Sequence, residues 1–556
     1  MLRNVLEDYL SSIKERDFDF PLSSLLQGMG FYDIHFTHGA VEFGKDFIAK
    51  RVENNVEYQY AIQSKKGDIG QSLWRNEIKG QLEEAILSDY SHPQFNTSLP
   101  RKAILVTTGR LSGNARLASQ EFKAKLEAEN RIHEIFFWEK EQLAQYSEEF
   151  GFAGIHHNMV TGLNEFAQFY LTYSKALAGT LSDRQIEELS RFWLDESLDY
   201  KKRILRASIE AEIIATKLIE HGHIYEAITA YLSLLRLVMQ VTYENEDQFV
   251  PEILNEIVKT KILPLSRSFF SEFRSNWEEA ERSLLSLCLK DSSLPMLNYI
   301  VWCARVLEIT SLYYFLTPDA AERTDIVGFL SKFIDKEEGC GHIPGDRHAI
   351  SMVWASLALI AADRADDALG LIKRSVIWLC DRVEKGFGLA RYEADEYEET
   401  ITLLGYPFDF IKVEHNRSSF LATILSDLAA YIGDKQFYED VVNDFEACEI
   451  VYTYWQFPDT KAIFTIETEE CRTYPNIPHE PSIKRFDDFD YAEHIKHEPD
   501  SFKIYQKAGP CSLLFLSILL KDRYFPKMWK LIIDGNLNIH DLVKGRRQCE
   551  DLSALG

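Results

Sequence analysis

Cysteine is scarce in this chain. Eight of 556 residues are cysteine, at positions 288, 303, 340, 380, 448, 471, 511 and 549, too far apart for any CxxC pair. That spacing excludes a zinc knuckle and reads as reduced core thiols of a cytoplasmic protein. Long apolar runs are missing as well. The longest, Met296 to Leu316, is broken by Arg305 and Glu308, so it reads as a buried helix and no membrane partner is expected. The opening residues Met1 to Asp8 are charged and amphipathic, unlike a signal peptide. Thr107-Thr108-Gly109-Arg110-Leu111-Ser112-Gly113 has no Gly-Lys-Ser/Thr to complete a phosphate loop and reads as a strand-to-helix turn. Positive charge is also short, with 61 Lys and Arg against 87 Asp and Glu, a net −26. Residues 1–150 account for −5 of this and the remainder for −21. Such an acidic surface repels nucleic acid, so the larger C-terminal part reads as a sensing, assembling or restraining element.

What is present is a folding composition, 46% hydrophobic and 13% aromatic. Its length exceeds what one core supports, so two or more domains are expected. Residues 1–150 alternate helical and strand-like segments. Helices are expected over about 2–14, 18–29 and 72–88, and strands at Ala103–Thr108 and Ile132–Trp138. The pattern is that of a small α/β domain with a mixed sheet flanked by helices. A linker over 151–181 contains His156-His157, which reads as loop. Residues 182–472 carry helical periodicity, opened by the capping-box-like Ser182-Asp183-Arg184-Gln185. Two helix–turn–helix segments there, Ala211–Val238 and Ala355–Ile372, are similar to tetratricopeptide units, so the fold class of this part is all-α and repeat-like. Gly339 to His348 is a Gly/Pro loop in which Cys340, His342 and His348 lack a fourth zinc ligand at motif spacing. Residues 473–556 read as a long loop and a C-terminal helical extension.

The informative stretch runs from Val41 to Gly67. Glu42-Phe43-Gly44-Lys45-Asp46 precedes a strand that ends Gln63-Ser64-Lys65, and a polar turn at Glu53-Asn54-Asn55 would fold the two segments together. Asp46 and Gln63 then come side by side. Alternation along the strand sends Gln63 and Lys65 to one face and Ile62 and Ser64 to the other. An acid, an amide oxygen and an ammonium on one face suit Mg²⁺, with Mn²⁺ as a substitute. They also suit phosphodiester hydrolysis, in which metal and lysine offset charge on the oxyanion.

Phe18 to Tyr146 resembles the PD-(D/E)xK restriction-endonuclease-like superfamily, in its Mrr-like branch. The resemblance rests on Phe18-Asp19 opening the helix to Phe31, then Glu42 to Asp46, then Gln63-Ser64-Lys65. After these come Gln81-Leu82-Glu83-Glu84-Ala85, Ala103 to Gly109 and Phe136-Phe137-Trp138, in that order. It implies that Asp46, Gln63 and Lys65 are catalytic, and that Asp46, Gln63, Glu42 and the Ser64 carbonyl hold the metal. Asp19 and Gln81 would be additional site residues. Two departures stand out: Gln63 occupies an acid position, and Asp19 is one methylene shorter than the usual glutamate.

A basic face for DNA is expected from Lys45, Lys66 and Arg75, with Lys50, Arg51, Lys79, Arg110 and Arg116 as further contributors. The function expected is a metal-dependent endonuclease acting on DNA, double-stranded by preference. It would serve prokaryotic restriction or antiviral defence, self-associate, and answer to a trigger ligand or defence-system protein at the helical part. The alternative is a helical-repeat scaffold whose degenerate nuclease fold only binds nucleic acid or a partner. A carbohydrate-binding or carbohydrate-hydrolysing helical toroid is a third reading, drawn from the acid- and aromatic-rich stretch Tyr392–Tyr406.

Overall fold

Strands β1 (Tyr32–Phe36), β2 (Phe47–Glu53), β3 (Val56–Lys65), β4 (Arg101–Thr107) and β5 (Glu134–Trp138) form one mixed sheet in that spatial order. β1–β2 and β2–β3 are antiparallel, whereas β3–β4 and β4–β5 are parallel. Parallel neighbours need crossover connections, which contain the helices Lys79–Leu87 and Asn114–Ala128. The β2–β3 hairpin closes through Asn54 and Asn55, both at positive φ (49° and 66°). This is the two-residue turn whose backbone asparagine tolerates. The computed structural model describes residues 15–37, 46–87, 94–129, 134–150, 163–194, 200–244, 249–280, 295–405, 417–433, 435–456, 461–465, 469–473 and 511–521, with single positions 7, 10, 11, 132, 284, 285, 288 and 523.

Alternation divides the sheet between two cores. Phe47, Tyr60, Ile62, Ile104 and Val106 pack against Phe18, Leu22, Leu25 and Leu26 of the helix Glu15–Gly28. Ala103, Leu105 and Ile135 face Trp74, Ile78, Leu82 and Ile86 on the other side. Each such side chain contributes on the order of 1.5–3 kcal/mol by leaving water. Only the second of the two expected N-terminal helices lies within the described residues as a full element, and it runs Glu15–Gly28.

The chain divides into two compact units, 1–178 with 195–214, and 179–194 with 215–556. The expected linker over 151–181 contains the helix Leu163–Leu177, and the helix Tyr200–Glu220 contributes to both units. His156-His157 lies outside the described residues.

The second unit is mostly helical. Its apolar helices Ile224–Glu244, Pro295–Leu316, Ile350–Ala361 and Phe420–Ile432 are buried on nearly every side. Amphipathic helices cover them, among them Leu263–Glu279, Ala320–Lys336 and Ala365–Glu384. This all-round apolarity marks an inner helix. Two are long and apolar enough to cross a membrane, but their most apolar windows are 100% and 78% buried within the protein.

The unit is not all-α. β6 (Ser418–Ser419), β7 (Val451–Gln456) and β8 (Glu469–Thr473) make a small sheet. Tyr452, Tyr454 and Trp455 favour a strand locally, a signal outweighed in the sequence by helical periodicity on either side. Ile350–Ala361 and Ala365–Glu384 pack as a helical hairpin, and Tyr200–Glu220 and Ile224–Glu244 follow each other through a short turn, but the helices between these two segments vary from 9 to 22 residues. That variation sets no fixed period. Of the C-terminal extension, the helix Cys511–Leu519 is described.

The glycine-rich loop is occupied by packing. Cys340 is fully buried and the His342 ring stacks on Trp378, 4.3 Å between centroids. His348 bonds Glu399. Among the described residues five cysteines are free, and burial raises the Cys303 thiol well above its ordinary pKa.

Candidate active site

Asp46 immediately precedes β2. The register pairing Phe47 with Ile62 carries it opposite Gln63. Its backbone belongs to the sheet margin, the N–H donating to the Ile62 carbonyl (2.9 Å) and the C=O accepting from Thr37 (3.1 Å). Its Oδ2 accepts the Ser64 N–H at 2.6 Å. The carboxylate is thus fixed against the end of β3 by a charge-assisted bond.

Gln63 is only 3% exposed. Its Nε2 donates to Gln81 Oε1 at 2.6 Å, and its own Oε1 is buried without a hydrogen-bond partner. An orphaned buried acceptor costs about 1–3 kcal/mol, and Gln63 Oε1 is one of several such atoms among the described residues. It is set apart by its register opposite a carboxylate, oxygen donors of the kind a hard cation takes. Ser64 turns its hydroxyl to the other face, leaving its backbone as its part in the site. Lys65 Nζ lies 3.2 Å from Glu77 Oε1, the side chains 18% and 45% exposed. A pair this open is worth roughly 0–1 kcal/mol.

The partners come from one helical segment. Gln71–Leu87 is interrupted by a π-turn, Trp74–Ile78. Trp74, Ile78 and Leu82 are buried, and Glu77 and Gln81 sit four residues apart on the side facing β3. Four helical residues rise about 6 Å and two strand residues about 6.6 Å. The Glu77–Gln81 spacing therefore matches that of Lys65 and Gln63.

A second loop pins the segment after Lys65. Thr108 N–H donates to the Lys65 carbonyl (3.1 Å), Thr107 Oγ1 to the Gly67 carbonyl (2.6 Å) and Gly67 N–H to Thr108 Oγ1 (3.0 Å). Arg110 N–H donates to Asp68 Oδ1 at 2.8 Å. The strands approach so closely that a Cβ on Gly109 would lie 2.2 Å from the Gly67 carbonyl carbon. Gly109→Ala is expected to force these loops apart, costing about 1–3 kcal/mol or more. Thermal melts should show the loss; a variant as stable as the parent would contradict the packing. Neither Glu77 nor this clasp is legible in the sequence, although Gly109 before Arg110 was a signal for a close approach.

The remaining predicted residues fall differently. Glu42 and Lys45 lie outside the described residues. Asp19 is buried on the helix that covers the opposite face of the sheet. Lys66 and Arg75 are exposed near the end of β3. The broader basic face is not a free positive patch: Lys50 pairs with Asp33 (2.8 Å), Arg51 with Glu53 (3.3 Å), Arg110 with Glu141 and Arg116 with Glu139 (2.6 Å). Among the described residues no three His, Cys, Asp or Glu side chains converge to hold a metal. A metal here would rest on Asp46 and neutral oxygens. The chain matches no known protein family, no curated protein and no solved structure.

Proposed function

We propose that the chain is a metal-dependent endonuclease of DNA whose active site is the Asp46–Gln63–Lys65 face. One observation carries this reading: a buried, partnerless Gln63 amide oxygen opposite a carboxylate, with a lysine two residues further along the same face. Mg²⁺ or Mn²⁺ would be held by Asp46 and Gln63, with Glu42 and the Ser64 carbonyl as further donors. When bound, the metal lowers the pKa of water and offsets charge on phosphorus. The Ser64 N–H orients the Asp46 carboxylate. Lys65, released from Glu77, orients the attacking water and donates to the phosphoryl oxygen where charge develops. Gln81 holds the Gln63 amide by its nitrogen. Lys66 and Arg75 contact the DNA backbone on either side.

In this reading the acidic helical unit, with its tetratricopeptide-like hairpins, restrains the nuclease until a trigger arrives, as in effectors of restriction and antiviral defence. That step is an analogy between architectures. Cutting of both strands calls for self-association, and light scattering of a DNA-bound monomer would count against it. The competing reading, a scaffold with a degenerate nuclease fold, draws on the single carboxylate of the described donor set. Incubation with plasmid and single-stranded DNA in Mg²⁺, Mn²⁺ or EDTA, alongside Lys65→Ala, separates the two. Metal-dependent cutting that the variant loses by about 10²-fold or more supports the enzyme. DNA binding without cutting, under every metal and trigger tried, supports the scaffold.

A further inference from the structure

The helical unit holds a half-open cavity of about 1090 Å³ that the nuclease reading leaves unused. This is the volume of a site that swallows a small molecule. Its floor is built from ion pairs. Arg305 lies 3.0 Å from Glu226, Arg347 3.2 Å from Glu187 and 3.6 Å from Asp183, and His348 3.2 Å from Glu399. Lys521 donates to Glu308, which stands with Glu187 behind the lining. Asp183 remains ionised: burial works to raise its pKa, but Arg347, Arg305, Lys521 and His348 together hold it well below the usual carboxylate range. Five carboxylates therefore meet two guanidinium groups, one lysine and one histidine. At the rim, Glu272 and Asp395 add negative charge, while Arg184 is taken up by the carbonyls of Tyr392, Glu393 and Ala394.

One wall is aromatic. Phe269, Phe273 and Trp302 lie with nearly parallel planes, centroids 6.2–6.4 Å apart, and Phe273 and Trp302 are only partly buried. Tyr397, 58% exposed, comes from the acid- and aromatic-rich stretch that the nuclease reading does not use.

This combination selects a ligand class. An anion would meet an excess of carboxylate and cations already engaged, and an organic cation would compete with Arg305, Arg347 and Lys521 for their acids. A hydroxyl donates to a carboxylate and accepts from a guanidinium at once, adding no charge. Ring faces of sugars and bases stack on aromatic walls. We propose that this cavity binds a neutral, hydroxyl-rich small molecule, a saccharide or a nucleoside, its ring on Phe273 and Trp302 and its hydroxyls on Asp183, Arg305 and Arg347. The proposal does not depend on nuclease activity.

Calorimetric titration and thermal melts of the full chain in EDTA test it, with maltotriose, glucose and adenosine as neutral probes and ATP and spermidine as charged ones. A neutral probe should bind saturably and raise Tm by about 2 °C or more. Binding by a sugar alone assigns a saccharide, and binding by adenosine alone a nucleoside. Trp302→Ala should weaken binding about tenfold, as should Tyr397→Ala, whose exposed position leaves the fold intact. The proposal is overturned if no neutral probe binds, if ATP or spermidine binds more tightly than all of them, or if both variants, folded by circular dichroism, bind as the parent does.

Discussion

Asp46→Asn is expected to lower metal-dependent DNA cleavage by about 10²–10³-fold or more while leaving the fold unchanged. Asparagine keeps an oxygen for the Ser64 N–H that Asp46 Oδ2 now accepts at 2.6 Å. Local structure survives and only the charge is lost. Asp46→Ala is a harsher change. It strands the Ser64 amide as well and should cost about 1–3 kcal/mol of stability in addition. Comparing the two by melting temperature and by cleavage separates the structural bond from the chemistry. Gln63→Glu completes the series. It supplies the missing second carboxylate, and Gln81 can present its amide nitrogen to the new oxygen, so metal should be bound more tightly and half-maximal cleavage reached at lower Mg²⁺. Asp46→Asn cutting at the parent rate would remove the basis of the nuclease reading.

Glu308→Ala is expected to destabilise the helical unit by about 3–5 kcal/mol, because it leaves a buried ammonium without its counter-ion. Glu308 and Lys521 are 1% and 5% exposed, and Tyr225 donates to the same carboxylate at 3.1 Å. Burial alone pulls the Lys521 pKa down and Glu308 works against it, so without Glu308 the lysine sheds its proton at lower pH. That escape limits the cost. It does not remove it, since Lys521 and Tyr225 would still lose an acceptor. The drop in Tm should be on the order of 10 °C for a unit this large. Lys521→Met combined with Glu308→Leu should recover much of the loss, as replacing a whole buried pair by apolar side chains is often neutral. Urea unfolding of Glu308→Leu, Lys521→Met and the double variant measures the coupling. A Glu308→Ala protein as stable as the parent would show that the pair is not held as described.

These two predictions rest on parts of the chain that were unequally legible. The Asp46–Gln63 pairing could be anticipated because a two-residue asparagine turn fixes register, and alternation along β3 then decides which side chains share a face. Gln81 is singled out in the sequence only by the resemblance; its pattern is that of a glutamine on a helix. Its bond to Gln63 depends on how the π-turn phases Gln71–Leu87 against the strand, and such phasing is set by the packing of Trp74 and Ile78. Arg305 and Glu308 announced themselves differently, as charges interrupting an apolar run. They argued against a membrane span, yet their partners Glu226 and Lys521 lie 79 and 213 residues away in sequence. No local pattern relates residues so distant.

The three-stranded sheet β6–β8 shows the same limit from the other side. A strand two residues long has no period to detect, and Ser418-Ser419 becomes a strand only because Val451 and Tyr452 lie beside it.

Sequence by itself determined the elements whose causes are local: the hairpin turn, the alternation that splits β3 between two cores, the apolar inner helices and the acidic balance of the larger unit. Each follows from propensity, periodicity or charge within a dozen residues. Tertiary structure alone decided the Glu77–Lys65 pair, the clasp of Gly109 on Gly67, the neutralisation of the expected basic face and the cavity with its buried ions. Most of those depend on side chains brought together across a dozen to hundreds of residues, where the cost of closure is met by the whole fold and leaves no trace in the spacing of any one segment.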